Sequence, residues 1–533
     1  MYDLILKNGK IIDGSGNPWF RGEVGILNGK IKNIGQISGD STCTLDINNL
    51  VVCPGFIDIH SHSDISVLVN PKAESKIMQG VTTEVIGNCG LSPAPMRAEI
   101  QEHLKRQFLP SEFEWNWPNY SDFLETHDKN LSSLNIAPLI GHGALRAAVL
   151  GIENRATTKE ESLRMQKLLN ECLDAGVFGL STGLVYSPAC FANTDEIIEL
   201  ARLLKKVNRL YTTHIRGEGA NLIRAVEEAL QIGREAEIPV QLSHHKAAGL
   251  DNWGKVRETL DLIEDSRQSG IDATCDVYPY SASSTQLDIF LPPWVREGDT
   301  EKMLERIKDE ATRAQVRREM QSNKMQGFWA SPQKAIGWER IVIAAANNQQ
   351  NSGIEGMDIA AISESRRKDP FDVFIDILIR EKGVVSSIYH EMCEEDVKTV
   401  MCHATAMIGS DGIALSPKGV LGKHKPHPRS YGTFPRVLGK YVRVEKLLEL
   451  EQAIKKMTSF PARKPGLRDR GMVREGFCAD LVVFDPLEIM DAATFVEPAQ
   501  FPRGIKHVIV NGVVVASEGR HTGATPGNLL RAN

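Results

Sequence analysis

The stretch PGFIDIHSHSD, Pro54 to Asp64, ends an apolar, strand-like run in two histidines one residue apart. Side chains alternate faces along a strand, so residues two apart point the same way. His60 and His62 therefore share a face, with Asp58 behind them. Two imidazoles at a rigid strand end can share a metal ion, a role neutral imidazole fills more often than any other side chain. An isolated HxH reads equally well as an exposed histidine pair, so the rest of the chain has to decide.

The run that ends at His60 is the first of a series. Apolar runs at 51–60, 82–90, 136–143, 176–184, 209–215, 238–245, 271–279 and 405–412 alternate with amphipathic helical patterns such as 194–207 and 220–236. Repeated β-then-α units predict an α/β fold with a parallel sheet. Eight such strands predict a TIM-like (β/α)8 barrel, for which roughly 250 residues is usual. The stretch from about 286 to 400 reads as an insertion before the last barrel strand, helical in part, as at 300–320. Both ends differ from this middle. They are strand-rich, with Asn-Gly turn dipeptides at 8–9, 28–29 and 511–512. The expected division is 1–52 and 464–533 as two parts of one small β domain, with the barrel at 53–463.

The 533 residues are ample for a large core. With 42% hydrophobic and 24% charged residues the profile is that of a soluble globular protein. A net charge of −6 argues against nucleic acid or an anionic membrane as partner. The segment MYDLILKNGKIID lacks a charged leader followed by an apolar core, and no apolar stretch reaches membrane-spanning length. Nine scattered cysteines suit a reducing compartment, so a cytoplasmic location is expected.

The strand ends carry the chemistry. They present His60 and His62, then Cys89, His214, the pair His244 and His245, and Asp411. In a barrel all C-terminal strand ends meet on one face. A lone histidine or cysteine is usually structural, but a set at corresponding strand ends predicts a metal centre. Imidazole, thiolate and carboxylate together suit Zn2+ better than magnesium or calcium. A nearby Asp can orient a zinc-activated water, take its proton and pass it to a leaving amine.

PGFIDIHSHSD, GNCG, THIRGEG, SHHKAAG, DVYPY, IGSDG and HPRSYGTFPRVLGKYVR occur in this order. They resemble the amidohydrolase superfamily, and within it the N-acyl-D-amino-acid deacylase (D-aminoacylase) branch. The likeness covers nearly the whole chain, and GMVREGFCADLVVFD is similar to the superfamily's β-sandwich return. The resemblance implies a tight zinc site at Cys89, His214 and His244, and a second, weaker metal site at His60 and His62. It implies Asp411 as general base and acid, and Lys246, Tyr278, Ser284 and Arg429 as the group that binds the substrate carboxylate. Arg supplies a planar fork, Lys a point charge, and the two hydroxyls directed hydrogen bonds. The HKPHPRSYG segment is expected to hang over the barrel mouth as a loop. The implied reaction is hydrolysis of a small-molecule N-acyl-D-amino acid, and the D preference rests on the resemblance alone.

Lesser expectations complete the reading. His245 is structural or supports a ligand, His142 shapes the pocket, and VYSPACF lines it with Cys190 structural. His403 is a surface or core residue. Arg216 and Glu218 orient His214 or pair with each other. Two alternatives stand beside the deacylase. One is a cyclic amidase of hydantoinase or dihydroorotase type, and the other is a catalytically silent barrel acting as a scaffold or binding protein. Side-chain and acyl-group preference carry no signature in the residues.

Overall fold

A computed structural model describes residues 1–95, 115, 117–322 and 325–532. Its centre is an α/β arrangement of parallel strands. These are β1 (Phe56–Asp58), β2 (Val81–Ile86), β3 (Asn135–Pro138, continued at Ile140–Gly141), β4 (Gly179–Gly183), β5 (Leu210–His214), β6 (Val240–Leu242), β7 (Ala273–Val277) and β8 (Ala406–Ile408). All are buried along their length. That is why they read as continuous apolar runs rather than alternating ones.

The pairing falls into two parallel sheets, β1-β2-β3 and β3-β4-β5-β6-β7-β8. They share β3, which is interrupted at Leu139, so its first half pairs with β2 and its second with β4. At the other edge the chain beyond β8 meets the chain beyond β1. Ser61 and Gly412 form a parallel bridge. Asp411 N donates to His60 O at 2.8 Å, and His62 N to Gly412 O at 2.9 Å. The histidine pair thus stands where the first and last strands meet.

Helices run between the strands as the patterns predict. Thr194–Val207 is capped by Asn193, whose side chain accepts from Glu196 N, and ends at Asn208 in a left-handed conformation. The stretch 300–320 is two helices rather than one, Thr300–Lys308 and Glu310–Gln321. Asp309 breaks it because its extended backbone ends the first helix while its carboxylate caps the second. The insertion has its own antiparallel sheet of Ser283–Gln286, Ser386–Tyr389 and Ile341–Ala345. It also has its own apolar core, which includes Phe290, Ile307, Ile341, Phe374 and Leu378.

Both chain ends enter one nine-stranded sheet, joined where Val51–Pro54 pairs antiparallel with Leu481–Phe484. Two of the three Asn-Gly pairs turn hairpins as expected, at 28–29 and 511–512. Asn8-Gly9 does not. It lies inside the strand Tyr2–Ile11 as a bulge, with the register shifting between Leu6 and Gly9. The Ile47 side chain packs over it, and a Cβ on Gly9 would come within 2.8 Å of Ile47 Cδ1, so a larger residue would push that methyl aside. Tertiary contact here overrides the turn signal.

Asp480 anchors this terminal sheet to the central one. Its carboxylate is buried and takes the Arg470 guanidinium, Asn511 N at 2.7 Å and, from β3, Asn135 Nδ2 at 3.1 Å. Removing the cation leaves a buried carboxylate unpaired, which costs about 3–5 kcal/mol. Arg470→Met is therefore expected to lower unfolding free energy by about that amount in a urea titration. A loss below about 1 kcal/mol would show that the pair contributes little.

Candidate active site

Each ligand-type residue follows its strand closely. His214 is the last residue of β5, His60 and His244 lie two beyond β1 and β6, and Cys89 and Asp411 lie three beyond β2 and β8. Cys89, His244 and Asp411 have positive φ angles of 53°, 35° and 50°. Non-glycine residues avoid this region, and clusters of it mark functional sites. The sharp turn it produces aims each side chain back over the strand ends.

The side chains converge. Cys89 Sγ lies 3.3 Å from His60 Nε2 and 3.4 Å from His244 Nε2, and the His214 ring packs edge-on to that of His244 with centroids 4.4 Å apart. Ligand atoms of His60, Cys89, His244 and Asp411 all fall within 4.8 Å of one another, and those of His214, Glu218 and His244 form a second such group. His62 joins through Asp411, its Nε2 3.0 Å from Oδ1. These side chains are buried except those of His62, which is about one-fifth exposed, and Glu218, which is 14% exposed. The expected ligand sets, Cys89 with His214 and His244 and then His60 with His62, are thus contiguous, with Cys89 touching both.

The donor set fits zinc. Neutral imidazoles and a thiolate are its usual protein ligands. Burial pushes the Cys89 thiol up, but His60 and His244 beside it outweigh burial and hold it well below the usual thiol range. The opposite ring nitrogens meet carboxylates, as metal-bound histidines require. His60 Nδ1 is 3.1 Å from Asp276 Oδ1, and His244 Nδ1 is 3.0 Å from Glu218 Oε1. Nδ1–H of His60 donates to Asp276, and His244 Nδ1 is shared between Glu218 and Lys246 Nζ, the latter at 2.8 Å, so both rings turn Nε2 to the cluster.

The carboxylate-binding candidates gather on one side of this cluster. Arg429 Nη1 is 2.7 Å from Asp411 Oδ2. The Tyr278 ring lies between two cations, 4.9 Å from the Arg429 guanidinium and 5.7 Å from Lys246 Nζ. Lys246 pairs with Glu218 Oε1 at 2.5 Å. Ser284 donates to Ser387 O, and its own carbonyl accepts from Arg429 Nη2 at 3.1 Å. Arg429 is not on an overhanging loop. It is buried and opens the helix Arg429–Arg436, where His427 Nδ1 accepts its backbone N–H at 3.0 Å. Burial pushes the Asp411 carboxyl up, but Arg429, His244, His62 and His60 hold it well below the usual range, so it stands ionised.

The remaining expectations sort by contact. His245 turns away to Thr259 Oγ1 at 2.8 Å, and His142 meets Glu196 at 2.9 Å. His403 bonds Thr405. Arg216 and Glu218 do not pair with each other. Arg216 forks onto Glu228, leaving Glu218 to His244, Lys246 and, at 3.6 Å, His214 Nε2, so of the two only Glu218 touches His214. Cys190 and the rest of 185–191 line a cavity of about 1460 Å3 that opens over the cluster. Asp276 was readable as a carboxylate within the apolar run 271–279, and His427 as the second histidine of HKPHPR, but no spacing rule singled out either.

If Asp276 holds His60 as described, Asp276→Ala is expected to weaken metal retention about 10- to 100-fold. The measurement is competition with a chromophoric zinc chelator. Unchanged retention would leave Asp276 as packing only.

Comparison with known proteins covers the whole chain. A profile described as the amidohydrolase family matches residues 44–516. The chain is 36% identical to the D-aminoacylase of Alcaligenes xylosoxydans xylosoxydans over 530 residues, 99% of this chain and 97% of that protein. It superposes on a solved D-aminoacylase, studied for its binuclear metal centre, with a TM-score of 0.83, 36% identity and complete coverage of both chains. The N-acyl-D-glutamate deacylase of Bordetella bronchiseptica, solved with zinc and a phosphonate mimic of the tetrahedral intermediate, matches at a TM-score of 0.83 and 33% identity over the full length of both chains.

Proposed function

The chain belongs to the amidohydrolase family, and we propose that it is a zinc-dependent N-acyl-D-amino-acid deacylase. One observation carries this reading. Asp411 stands between the ligand cluster and the clamp, Oδ1 3.0 Å from His62 Nε2 and Oδ2 2.7 Å from Arg429 Nη1. A base, a soft-metal donor set and a fixed cation for a carboxylate are therefore contiguous.

Cys89, His214 and His244 would hold a tightly bound zinc, and His60 with His62 a second, weaker one. Bound there, zinc supplies Lewis acidity toward an amide carbonyl and acidifies water. The protein's own groups do the rest. Arg429, Lys246, Tyr278 and Ser284 bind the substrate carboxylate and fix the scissile amide over the cluster. Asp411 takes the proton of the attacking water and returns it to the leaving nitrogen as the carbon–nitrogen bond breaks. The products are a carboxylate and a free D-amino acid. The D preference is supported by the D-specific names of the relatives.

We read the two parallel sheets as one closed (β/α)8 barrel at 53–463. The terminal segments, 1–52 and 464–533, form a β-sandwich beside it. The shared strand β3 and the Ser61–Gly412 bridge support closure. No helix among the described residues is long and apolar enough to cross a membrane. The exposed thiols of Cys43 and Cys402 suit a reducing, cytoplasmic setting.

The test is amine release from matched N-acyl-D- and N-acyl-L-amino acids with apolar, acidic and basic side chains, with and without zinc. Release from the D series alone is expected. Turnover of hydantoins or dihydropyrimidines in its place would overturn the reading in favour of a cyclic amidase. Asp411→Asn is expected to keep its zinc by elemental analysis and to lose about 10²- to 10⁴-fold in kcat. Near-normal kcat would remove Asp411 as the proton carrier.

A further inference from the structure

Beneath the cluster lies a second set of charges that the reaction does not touch. Lys76, on the short helix Glu74–Ile77, is completely buried. Its ammonium has three N–H donors and meets three acceptors. They are Asp58 Oδ2 at 2.8 Å, Glu84 Oε1 at 2.7 Å and Ser410 Oγ at 2.8 Å. Asp58 ends β1, Glu84 lies in β2, and Ser410 follows β8. One cation thus links both sides of the junction between the first and last strands.

That junction carries Asp411. Its left-handed backbone, φ 50°, persists only if its neighbours over-determine it. They do so through the Lys76 cluster. Ser410 N donates to Asp58 Oδ1 at 2.8 Å, and Ser410 Oγ donates to Asp58 Oδ2 at 2.5 Å. Gly412 N donates to Ser410 Oγ at 2.9 Å. Further along, Ala414 N donates to Ser63 Oγ at 2.8 Å, and Ser63 in turn donates to Glu84. Both flanks of Asp411 are therefore tied to carboxylates that Lys76 bridges. Without the cation, two buried carboxylates would face each other, and the pins on Ser410 and Ser63 would loosen.

We propose that Lys76 is a positioning residue that sets the direction of the Asp411 carboxylate through Ser410 and Asp58. This inference rests on the reading of Asp411 as the proton carrier. Of the clamp only Arg429 touches Asp411, while Lys246, Tyr278 and Ser284 sit on other elements, so loss of Lys76 changes turnover more than substrate binding.

The test compares purified wild type, Lys76→Met, Ser410→Ala and the double variant Lys76→Met/Glu84→Gln. Each is measured for thermal unfolding, zinc content, KM and kcat on the N-acyl-D-amino acid that wild type turns over fastest. Ser410→Ala cuts the link while leaving the ion cluster charged as before. The double variant restores charge balance should Lys76→Met alone fail to fold. Expected is a fall of about 10- to 100-fold in kcat, as for a small misplacement of a reacting group, with KM within about twofold and at least one zinc retained. Folded, zinc-loaded Ser410→Ala and double variants with wild-type kcat would overturn the proposal and leave Lys76 a stabilising residue only. A wild type that opens cyclic amides but cleaves no acyl amino acid would instead overturn the deacylase reading. The same kcat comparison on the ring substrate would then decide Lys76.

Discussion

Asp276 Oδ1 accepts from His60 Nδ1 and from the backbone N–H of His244, the latter at 2.7 Å, while its Oδ2 takes Gln241 Nε2 at 2.8 Å. One buried carboxylate on β7 thereby holds a ligand from the β1 end and another from the β6 end. Without it the His60 ring loses the partner of its Nδ1 and the His244 backbone loses its acceptor, while the His244 ring keeps its contacts to Glu218 and Lys246. Orientation by an outer carboxylate is how proteins set the basicity and aim of histidine ligands. Here the same oxygen also fixes backbone, so the aim of two ligands is coupled to strand register.

Charge balance follows from the same geometry. Burial alone would keep Cys89 a thiol and Asp411 a carboxylic acid. Each is anionic because cationic or hydrogen-bonding groups surround it, His60 and His244 for the thiolate, Arg429 with the histidines for the carboxylate. Glu218 repeats the pattern. Lys246, His214 and His244 outweigh its burial and hold it well below the usual range. The mouth of the fold is thus an alternation of fixed opposite charges in a water-poor space, where such interactions are strongest. The backbone bears part of the cost, in the left-handed conformations of Cys89, His244 and Asp411.

The insertion completes the site from outside the parallel strands. Ser284 sits on its sheet, and that sheet's core is separate from the main one. Arg429 reaches the same place from the chain after β8, held by His427, whose ring packs against Tyr280 and Phe495. The clamp is therefore assembled from segments about 145 residues apart in the chain, as the Arg429–Ser284 contact shows.

Period and composition by themselves determined the parallel strands, the helix at 194–207, the separate insertion and the meeting of both termini in one sheet. Those features depend on which residues must leave water, and that is written locally. The ligand types at the strand ends were legible for the same reason, since a histidine or cysteine that closes an apolar run is conspicuous. What only the tertiary structure decided were the partners. Asn8-Gly9 is a bulge in a long strand, with Ile47 packed over Gly9. Glu218 chose Lys246 and His244 over its near neighbour Arg216, and Lys76 found acceptors on two strands and on the turn after a third. A charge far along the chain leaves no periodic mark, so the sequence names the groups but not which of them the fold brings within 3 Å.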